Sequence, residues 1–296
     1  MTKTLFVLLL TTLTNAAQAL PRIAILIDDM GDNRVLGERA LALKGAVSYA
    51  FLPHTAHAPE MAREANALGR DVLLHAPMES EASLQLMGKG ALTTGMSEAE
   101  LREQLRINLQ SIPYVQGFNN HMGSVLTRDR QRMQWLFEEV KGSPLFFVDS
   151  RTTAESVALP EARRLGVPSV GRDIFLDHVD SEHAVDEQFD RLLKIARQRG
   201  YALAIGHPKR NTLAVLEKRL NALAREQVEL VPVSLLTGNS PVSRHYAALT
   251  SKPAKSLPVK SESANRRSCS PTPAKQFSDY WLLAQRTLRC DAVGSE

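Results

Sequence analysis

Carboxylate and imidazole side chains recur in this 296-residue chain where short apolar runs end. Five polar clusters of this kind start at the following residues: Asp28, His75, Asn119, Asp149 and His207. In a barrel of parallel strands, the carboxyl ends of all strands open on one face, and enzymes of that architecture build their active sites there. We therefore expect these clusters, which are distant in sequence, to meet at one site.

The adjacent carboxylates of Asp28 and Asp29 indicate a bound cation, because two neighbouring negative charges repel each other unless a metal or a proton lies between them. Neutral imidazoles and one carboxylate, with a position open to water, are a common catalytic zinc arrangement in which the pKa of water falls to about 7. We expect Asp29, His75 and His121 to hold a divalent metal, most simply Zn²⁺. Asp28 is then the candidate general base, and His207 is the candidate acid that protonates the leaving group.

Each of these residues also has a structural interpretation. A pair of aspartates before a glycine often forms a turn and caps a helix, and each histidine could be a loop residue bonded to backbone. Their joint placement at strand ends favours the chemical interpretation, since scattered structural histidines have no reason to share a face. Further candidates to support the ligands or to contact substrate are Glu79, Asn120, Asp149 and Arg151.

Several other polar residues near the same rim have weaker cases. Glu79 could be a metal ligand, a partner of His75 or the N-terminal charge of a helix. Arg151 and Arg172 could orient substrate hydroxyls or carboxylates, and a surface salt bridge is an equally good interpretation of both. Two histidines follow the second predicted strand in a proline-containing loop, and three more have the pattern of solvated surface residues: His54 and His57, then His178, His183 and His245.

The elements that must position these clusters alternate regularly between strands and helices. Near-continuous apolar runs predict strands at 22–27, 46–51, 71–75, 115–118, 145–148, 168–170, 202–205 and 228–233. Amphipathic spacing predicts helices at 33–43, 58–68, 128–141, 154–165, 181–199 and 212–225, with another after the capping box Ser97–Glu100. Repeated βα units favour a parallel sheet with helices outside it. With seven or eight strands, we predict an α/β fold that is a closed or nearly closed (β/α) barrel, and not an open doubly wound sheet.

The two ends of the chain differ in charge from its middle. The whole sequence has a formal charge of +4, yet residues 20–238 hold 26 basic and 28 acidic side chains. The positive excess lies in residues 239–296, which are rich in Ser, Pro and Lys and which we predict to be a disordered tail. This distribution argues against nucleic acid as a partner. Cys269 and Cys290 both lie in the tail, where they could pair or be incidental.

The first residues have the pattern of a secretory signal peptide. Lys3 precedes an apolar run, Leu5–Leu10, and the small-residue site Ala17-Gln18-Ala19 follows, which predicts cleavage after Ala19. The run is well short of the ~20 residues that a spanning helix needs. We therefore predict a signal peptide at 1–19, a barrel domain at 20–237 and a basic tail at 238–296. The mature protein should be periplasmic or secreted and should not be an integral membrane protein.

The polar clusters as a set resemble those of a known family. Leu26-Ile27-Asp28-Asp29-Met30-Gly31 is similar to the strand-end motif of the NodB-type polysaccharide deacetylases, which are metal-dependent carbohydrate esterases with a distorted (β/α) barrel. The full set, over residues 21–237, resembles more closely the divergent polysaccharide deacetylase family (YibQ-like), whose members are exported bacterial proteins. The motifs that carry this resemblance are Ile27-Asp28-Asp29, His75-Ala76-Pro77-Met78-Glu79, Asn119-Asn120-His121-Met122-Gly123-Ser124, Asp149-Ser150-Arg151-Thr152-Thr153 and Gly206-His207-Pro208.

The resemblance assigns roles to individual residues. It implies that Asp28 is the base, Asp29 and His75 are metal ligands, and His207 is the general acid. Glu79 stands where the second histidine of the family's His-x-x-x-His motif is expected. The family's Arg-x-Pro-x-Gly segment is absent, and His121 lies in roughly that region, where it could complete the metal site.

The resemblance also implies a function, with two alternatives. The leading one is metal-assisted deacetylation of an N-acetylated envelope polysaccharide or peptidoglycan-derived glycan. A second is a deacetylase-like barrel that binds cell-wall glycan or an envelope partner without turnover, which the altered Glu79 motif favours and the presence of Asp28 and His207 opposes. A third is a metal-dependent hydrolase for some other amide or ester, because a site defines a reaction class more sharply than a substrate.

Overall fold

A computed structural model describes residues 19–82 and 87–238 of the chain. Its strands are β1 Arg22–Met30, β2 Ser48–Phe51, β3 Val72–Met78, β4 Gly117–Met122, β5 Phe146–Asp149, β6 Ser169–Gly171, β7 Ile174–Phe175, β8 Tyr201–Gly206 and β9 Glu229–Leu230. Helices with both ends in the described part are α1 Arg34–Leu41, α2 Ala58–Ala67, α3 Glu98–Ser111, α4 Arg130–Val140, α5 Ala158–Arg164, α6 Glu182–Arg199 and α7 Arg210–Ala222. Short 3₁₀ helices lie at Leu126–Arg128, Leu223–Glu226 and Val233–Thr237.

The strands form one parallel sheet in the order β6-β5-β4-β3-β2-β1-β8-β7, and β9 pairs with β1 off this path. The edge strands β6 and β7 are joined by only Arg172 and Asp173. Residues 169–175 thus run from a pairing with β5 at one edge to a pairing with β8 at the other, so the curled sheet returns on itself. The predicted fold, a distorted (β/α) barrel, is confirmed.

Two apolar layers hold the barrel together, and strand periodicity separates them. On β1, Ile23, Ile25 and Ile27 face the helices, and Ala24 and Leu26 face the barrel interior. Both sets are fully buried, which explains the near-continuous apolar run of this central strand. The interior layer is small, and polar side chains fill the barrel above it.

Residues 229–237 close the opposite, amino-terminal end of the barrel. We predicted a strand over 228–233, but only Glu229–Leu230 pairs with β1, and Val233–Thr237 is a 3₁₀ helix. Asp71 anchors this helix, because its carboxylate accepts hydrogen bonds from the Ser234 backbone N–H (2.9 Å), the Ser234 hydroxyl (3.1 Å) and the Ser48 hydroxyl (3.2 Å). The end of the barrel away from the predicted site is therefore plugged.

Other differences from the predicted elements concern their ends. Strands β1, β3 and β4 run through their polar clusters to Met30, Met78 and Met122, instead of stopping before them. Helix α5 begins at Ala158, four residues later than predicted, because turns occupy the preceding residues.

Among the described residues, no helix is long and apolar enough to cross a bilayer. The predicted signal peptide up to Gln18, the tail from Asn239 with Cys269 and Cys290, and His245 lie outside the described residues.

Candidate metal centre and active site

Asp28 and Asp29 both reach the same site because β1 is irregular at its end. Successive residues of a regular strand point to opposite faces. The register between β1 and β2 shifts between Ile27 and Met30, and Asp29 has a φ of 54°, in the left-handed region. This bulge turns two consecutive carboxylates towards one point, and backbone strain of this kind is concentrated at functional sites.

His75 and His121 come from the neighbouring strands β3 and β4, which are parallel. Asn119 lies beside His75 in the register, and His121 lies beside Pro77. Asn119 and His121 are two residues apart, so both side chains project from the same face of β4 as His75 does from β3. Strand geometry thus places one amide and two imidazoles opposite the carboxylates of β1.

Three donor atoms meet at the top of the barrel. Asp29 Oδ1 lies 3.2 Å from His75 Nε2 and 3.1 Å from His121 Nδ1, and the two nitrogens are 3.1 Å apart. Ligands bound about 2.0–2.1 Å from a tetrahedral zinc ion are about 3.3 Å from one another. The triangle therefore has the dimensions of one face of such a coordination shell, and these three residues form a group that could hold a metal ion.

The hydrogen bonds around the triangle indicate what it is built to hold. His75 Nδ1 donates to Asn119 Oδ1 (2.8 Å), so Nε2 is the nitrogen that faces the centre, and it offers a lone pair there when the ring is neutral. Asp29 Oδ1 is buried and, within the described residues, accepts no hydrogen bond. Lone pairs that face one another at this distance need a cation between them. Two imidazole nitrogens and one carboxylate oxygen are a donor set that fits a catalytic zinc site.

The pKa shifts of the cluster indicate that the space between its side chains stabilises a positive charge. Burial acts against protonation of His75, but the carboxylates of Asp28 and Asp29 outweigh it and raise its pKa to about 9. Burial also acts to raise the pKa of Asp29, but the closeness of His121 and His75 holds that pKa well below its usual range. Both shifts favour a positive charge among these groups.

Asp28 lies behind the triangle in a different environment. It is almost completely buried, and Asn119 Nδ2 donates to both of its oxygens at 2.9 Å. Its nearer oxygen is 3.6 Å from His75 Nε2. Burial raises the pKa of Asp28, although His75 and His207 oppose this effect. A carboxylate with raised proton affinity beside the centre is suited to accept a proton.

His207 approaches from the other side of Asp29 at the end of β8. Its Nδ1 donates to Asp177 Oδ1 (2.9 Å), its backbone N–H donates to Asp177 Oδ2 (2.7 Å), and its Nε2 is 3.8 Å from Asp29 Oδ2. Its ring stacks on Phe175 at 5.7 Å. Burial acts to lower the pKa of His207, but Asp177 outweighs it and the pKa is raised. His207 therefore points its Nε2 at the centre, and the raised pKa favours the protonated form of the ring.

Three of the further candidates hold loops in place. Asn120 points away from the triangle, donates to the Met122 carbonyl (2.7 Å) and accepts from the Ser150 backbone N–H (2.9 Å). The Asp149 carboxylate accepts from the Arg151 backbone N–H (2.8 Å) and from residues at the start of α5. The Arg151 guanidinium is exposed and donates to the Arg172 carbonyl.

Arg172 has a structural role beside the acid. Its guanidinium donates to the carbonyls of Ser150 (2.6 Å) and Arg151 (2.8 Å) and lies over the ring of Phe175. Burial lowers its pKa. These contacts fix the loop after β5 against β7, and the alternative interpretation of a surface salt bridge is not among them.

Glu79 lies outside the triangle. Its carboxylate accepts from the backbone N–H (2.5 Å) and hydroxyl (2.6 Å) of Thr94, so it anchors the loop before α3. His57 directly precedes α2, and His178 and His183 are exposed, as expected for the latter two. The structure thus brings together Asp28, Asp29, His75, His121 and His207, and it places the other candidates around them.

Sequence reasoning missed two residues of this centre. Asn119 was part of a noted motif but had no role, although its spacing of two from His121 already places both on one face of a strand. Asp177 follows β7, whose two residues are too short to give a strand pattern. The only signal for Asp177 was its position after the apolar residues Ile174-Phe175-Leu176.

Comparison with known proteins agrees with the resemblance in the sequence motifs. The family described as "Divergent polysaccharide deacetylase" matches residues 25–237. An uncharacterised protein of Haemophilus influenzae is 37% identical over 229 residues, which cover 77% of this chain and 81% of that protein. The uncharacterised protein YibQ of Escherichia coli is 36% identical over 215 residues, which cover 73% of this chain and 67% of that protein.

A solved structure shares the fold. The crystal structure of an uncharacterised Agrobacterium tumefaciens protein superimposes with a TM-score of 0.71 and 21% sequence identity, over 75% of this chain and 91% of that one. At this identity the likeness supports the fold alone.

Proposed function

This chain belongs to the divergent polysaccharide deacetylase family, and we propose that it is an exported, metal-dependent hydrolase that removes acetyl groups from an N-acetylated envelope polysaccharide or peptidoglycan-derived glycan. The observation that carries this proposal is the triangle of donor atoms from Asp29, His75 and His121, with the buried carboxylate of Asp28 on one side and the imidazole of His207 on the other.

Zinc is the metal of the proposed reaction, and Asp29 Oδ1, His75 Nε2 and His121 Nδ1 would hold it. A divalent cation supplies Lewis acidity, which polarises a carbonyl group and makes water more acidic. The remaining groups of the site belong to the chain itself, and each has a defined place in hydrolysis of an amide.

Asp28 is placed to act as the general base. Its carboxylate is held by Asn119 and accepts a proton from the water that attacks the acetyl carbonyl carbon. His207 is placed to act as the general acid. Its Nε2 carries a proton that it transfers to the amide nitrogen as the carbon–nitrogen bond breaks, so the products are acetate and a free amine on the sugar.

Asp177 prepares His207 for this role. It accepts the Nδ1 hydrogen and thereby leaves Nε2 as the nitrogen that faces the centre. Its negative charge stabilises the protonated imidazole against burial, which raises the pKa of His207. Asp177 therefore favours the protonated form that a general acid needs.

We also propose that the protein works in the periplasm or outside the cell. The support is the signal-peptide pattern of residues 1–19, with cleavage after Ala19. Edman sequencing of the protein recovered from the periplasmic fraction is expected to begin at Leu20. Recovery of the intact N-terminus from the cytoplasm would contradict this.

The experiment that tests the proposed function combines metal analysis with acetate release. The full chain is loaded with zinc, and elemental analysis is expected to give about one zinc per chain, which His75→Ala should abolish. Acetate release from N-acetylated glycans and peptidoglycan fragments is expected to fall about 10²–10⁴-fold in Asp28→Asn, with zinc retained.

A matched variant controls for the substitution itself. Asp190→Asn changes an exposed carboxylate on α6 and should leave both readouts unchanged. Absence of metal binding under every loading condition would refute the metal-dependent reaction. Zinc and glycan binding without acetate release would instead favour the alternative of a barrel that binds glycan and no longer turns it over.

A further inference from the structure

Two arginine side chains lie together on the carboxyl-terminal rim of the barrel, next to the candidate acid. Arg151 follows β5, and Arg172 lies in the two-residue connection between β6 and β7. Each guanidinium donates to the backbone carbonyl of the other arginine, Arg172 Nη2 at 2.8 Å and Arg151 Nη1 at 3.4 Å. Arg172 Nε also donates to the Ser150 carbonyl (2.6 Å). The loops that carry the two side chains therefore fix them relative to each other.

The local backbone is shaped to bring this arginine pair together. Arg151 has a φ of 48°, a value that is uncommon for a non-glycine residue, and its backbone N–H donates to Asp149 Oδ1 (2.8 Å). A Cβ on Gly171 would lie 2.7 Å from Arg151 Nε, so the absence of a side chain there leaves room for the guanidinium over the end of β6. Backbone strain of this kind is concentrated at functional sites. The pair is thus formed before any ligand arrives.

The protein supplies no counter-charge in contact with the arginine pair. Within the described residues, neither guanidinium forms an ion pair. Asp149 and Asp173, whose charges act on Arg172 from farther away, accept hydrogen bonds from other donors. Burial and the charge of Arg151 both lower the pKa of Arg172. Two neighbouring like charges are stabilised when an opposite charge lies between them, so the pair favours an anion.

Donor groups of both arginines remain available for such an anion. Arg151 is exposed, and Arg172 Nη1 donates to no described group and is open to solvent. Guanidinium groups are planar and bind the oxygens of carboxylates and phosphates through paired hydrogen bonds. The exposed edge of the pair therefore has the donors, the charge and the rigidity of an anion-binding site.

One aromatic ring connects the arginine pair to the candidate acid. The Arg172 guanidinium lies 4.1 Å from the centre of the Phe175 ring, and the His207 imidazole stacks on the same ring, with 5.7 Å between centres and 13° between planes. In the proposed reaction, His207 protonates the amine as it leaves. The amine half of the substrate therefore lies on the side of the barrel where the arginine pair lies.

We propose that Arg151 and Arg172 bind an anionic group, a carboxylate or a phosphate, on the amine half of the substrate. This inference rests on the proposed function and adds to it a requirement for charge. A neutral sugar would leave both guanidinium charges uncompensated, so the protein should select acidic sugars over neutral ones.

The test compares one neutral sugar with two acidic ones on the zinc-loaded full chain. The neutral sugar is N-acetylglucosamine. The acidic ones are N-acetylmuramic acid, which adds a lactyl carboxylate, and N-acetylglucosamine 6-phosphate. Calorimetry is expected to show at least about tenfold tighter binding of an acidic sugar, the usual gain from a hydrogen bond between charged groups. The acidic sugar with the larger gain identifies the anion as a carboxylate or a phosphate.

Variants of Arg151 assign the preference to the arginine pair, since Arg151 is exposed and Arg172 also holds the loop after β5. Arg151→Gln should make the affinities for neutral and acidic sugars equal. Arg151→Lys should restore part of the preference, because it keeps the charge without the paired donors. Arg63→Gln is the matched control, because it changes an exposed arginine on α2 that donates to the Pro59 carbonyl (3.0 Å), and it should keep the full preference.

Equal affinity of wild type for the neutral and acidic sugars, or no detectable binding of either acidic sugar, would overturn the proposal. A preference that persists in Arg151→Gln with zinc bound would also overturn it, since the anion would then lie on the metal.

These binding measurements do not depend on turnover, so they separate this proposal from the proposed function. Tighter binding of an acidic sugar that Arg151→Gln abolishes supports the anion site even when no acetate is released. Acetate release without any preference for acidic sugars would support the proposed function and refute the anion site.

Discussion

Replacement of Asn119 by alanine should weaken zinc binding although Asn119 is not a ligand. Its side chain joins the two halves of the centre, since Oδ1 accepts from His75 Nδ1 and Nδ2 donates to both oxygens of Asp28 and to the Ser150 hydroxyl (3.1 Å). Without the amide, nothing described in the structure fixes the His75 tautomer that presents Nε2 to the metal.

The size of the effect follows from the role of such partners. Loss of a hydrogen-bond partner behind a metal-bound histidine typically weakens metal affinity about 10–100-fold. This corresponds to about 1.4–2.7 kcal/mol of binding free energy. Asn119→Ala is therefore expected to raise the zinc Kd by that factor, measured by competition with a chromophoric chelator, with a thermal unfolding curve to show that the variant is folded.

Asn119→Asp separates the two halves of the role. An aspartate at this position still accepts from His75 Nδ1, so zinc affinity should stay close to that of wild type. It also places a second carboxylate against Asp28 and removes the donor, so Asp28 keeps a proton and acetate release should fall about 10²–10⁴-fold.

The control is Asn221→Ala, which removes an exposed amide bonded to the Glu217 carbonyl on α7 and should change neither zinc affinity nor acetate release. Two results would refute the reasoning: an Asn119→Ala variant that binds zinc as tightly as wild type, or an Asn119→Asp variant that loses zinc as completely as Asn119→Ala.

Three further predictions concern the acid, the plug and the turn after β1. In Asp177→Asn the pKa of His207 loses its main support, so the alkaline limb of the pH–rate profile, where the acid loses its proton, should move to lower pH; an unmoved limb would exclude His207 as the acid. Burial raises the pKa of Asp71, so the free energy of unfolding should fall as the pH rises above about 4, because the unfolded chain releases the proton first. Urea unfolding at pH 5 and pH 8 should show that loss in wild type but not in Asp71→Asn. Asp71→Ala should lose about 1–3 kcal/mol at both pH values, because it leaves hydrogen-bond donors unpaired. Gly31 has a φ of 115°, and a Cβ there would lie 2.3 Å from Thr55 Oγ1. Gly31→Ala should therefore lower the free energy of unfolding by about 1–3 kcal/mol and weaken zinc binding by displacing Asp29. A variant with the unfolding curve and zinc titration of wild type would contradict this.

The features of this molecule that could be predicted are its regularly alternating strands and helices. Buried strands such as 202–205 gave apolar runs, helices gave amphipathic spacing, and their alternation was enough to predict a parallel barrel. Convergence of Asp29, His75 and His121 followed from the same rule, because all parallel strands end on one face. The chemistry of these residue types then indicated a metal.

The missed part depends on conformations and contacts with no periodic signal. The bulge that turns Asp29 inwards is a local distortion of β1, and the two-residue strand β7 that delivers Asp177 is too short to detect. Glu79 had the spacing of a ligand, but a hydrogen bond to Thr94 directs its carboxylate elsewhere. Side-chain partners that are far apart in sequence are fixed by packing, and a pattern of residue types does not contain them.

The partners of the two imidazoles explain why similar side chains take different roles. His75 and His207 each bond through Nδ1 and turn Nε2 towards Asp29. The partner of His75 is a neutral amide, which fixes the ring with Nε2 towards the centre and adds no negative charge behind it. The partner of His207 is a buried carboxylate, which stabilises a second proton on the ring. In the proposed mechanism, the charge of the group behind each ring therefore distinguishes the metal ligand, backed by Asn119, from the acid, backed by Asp177.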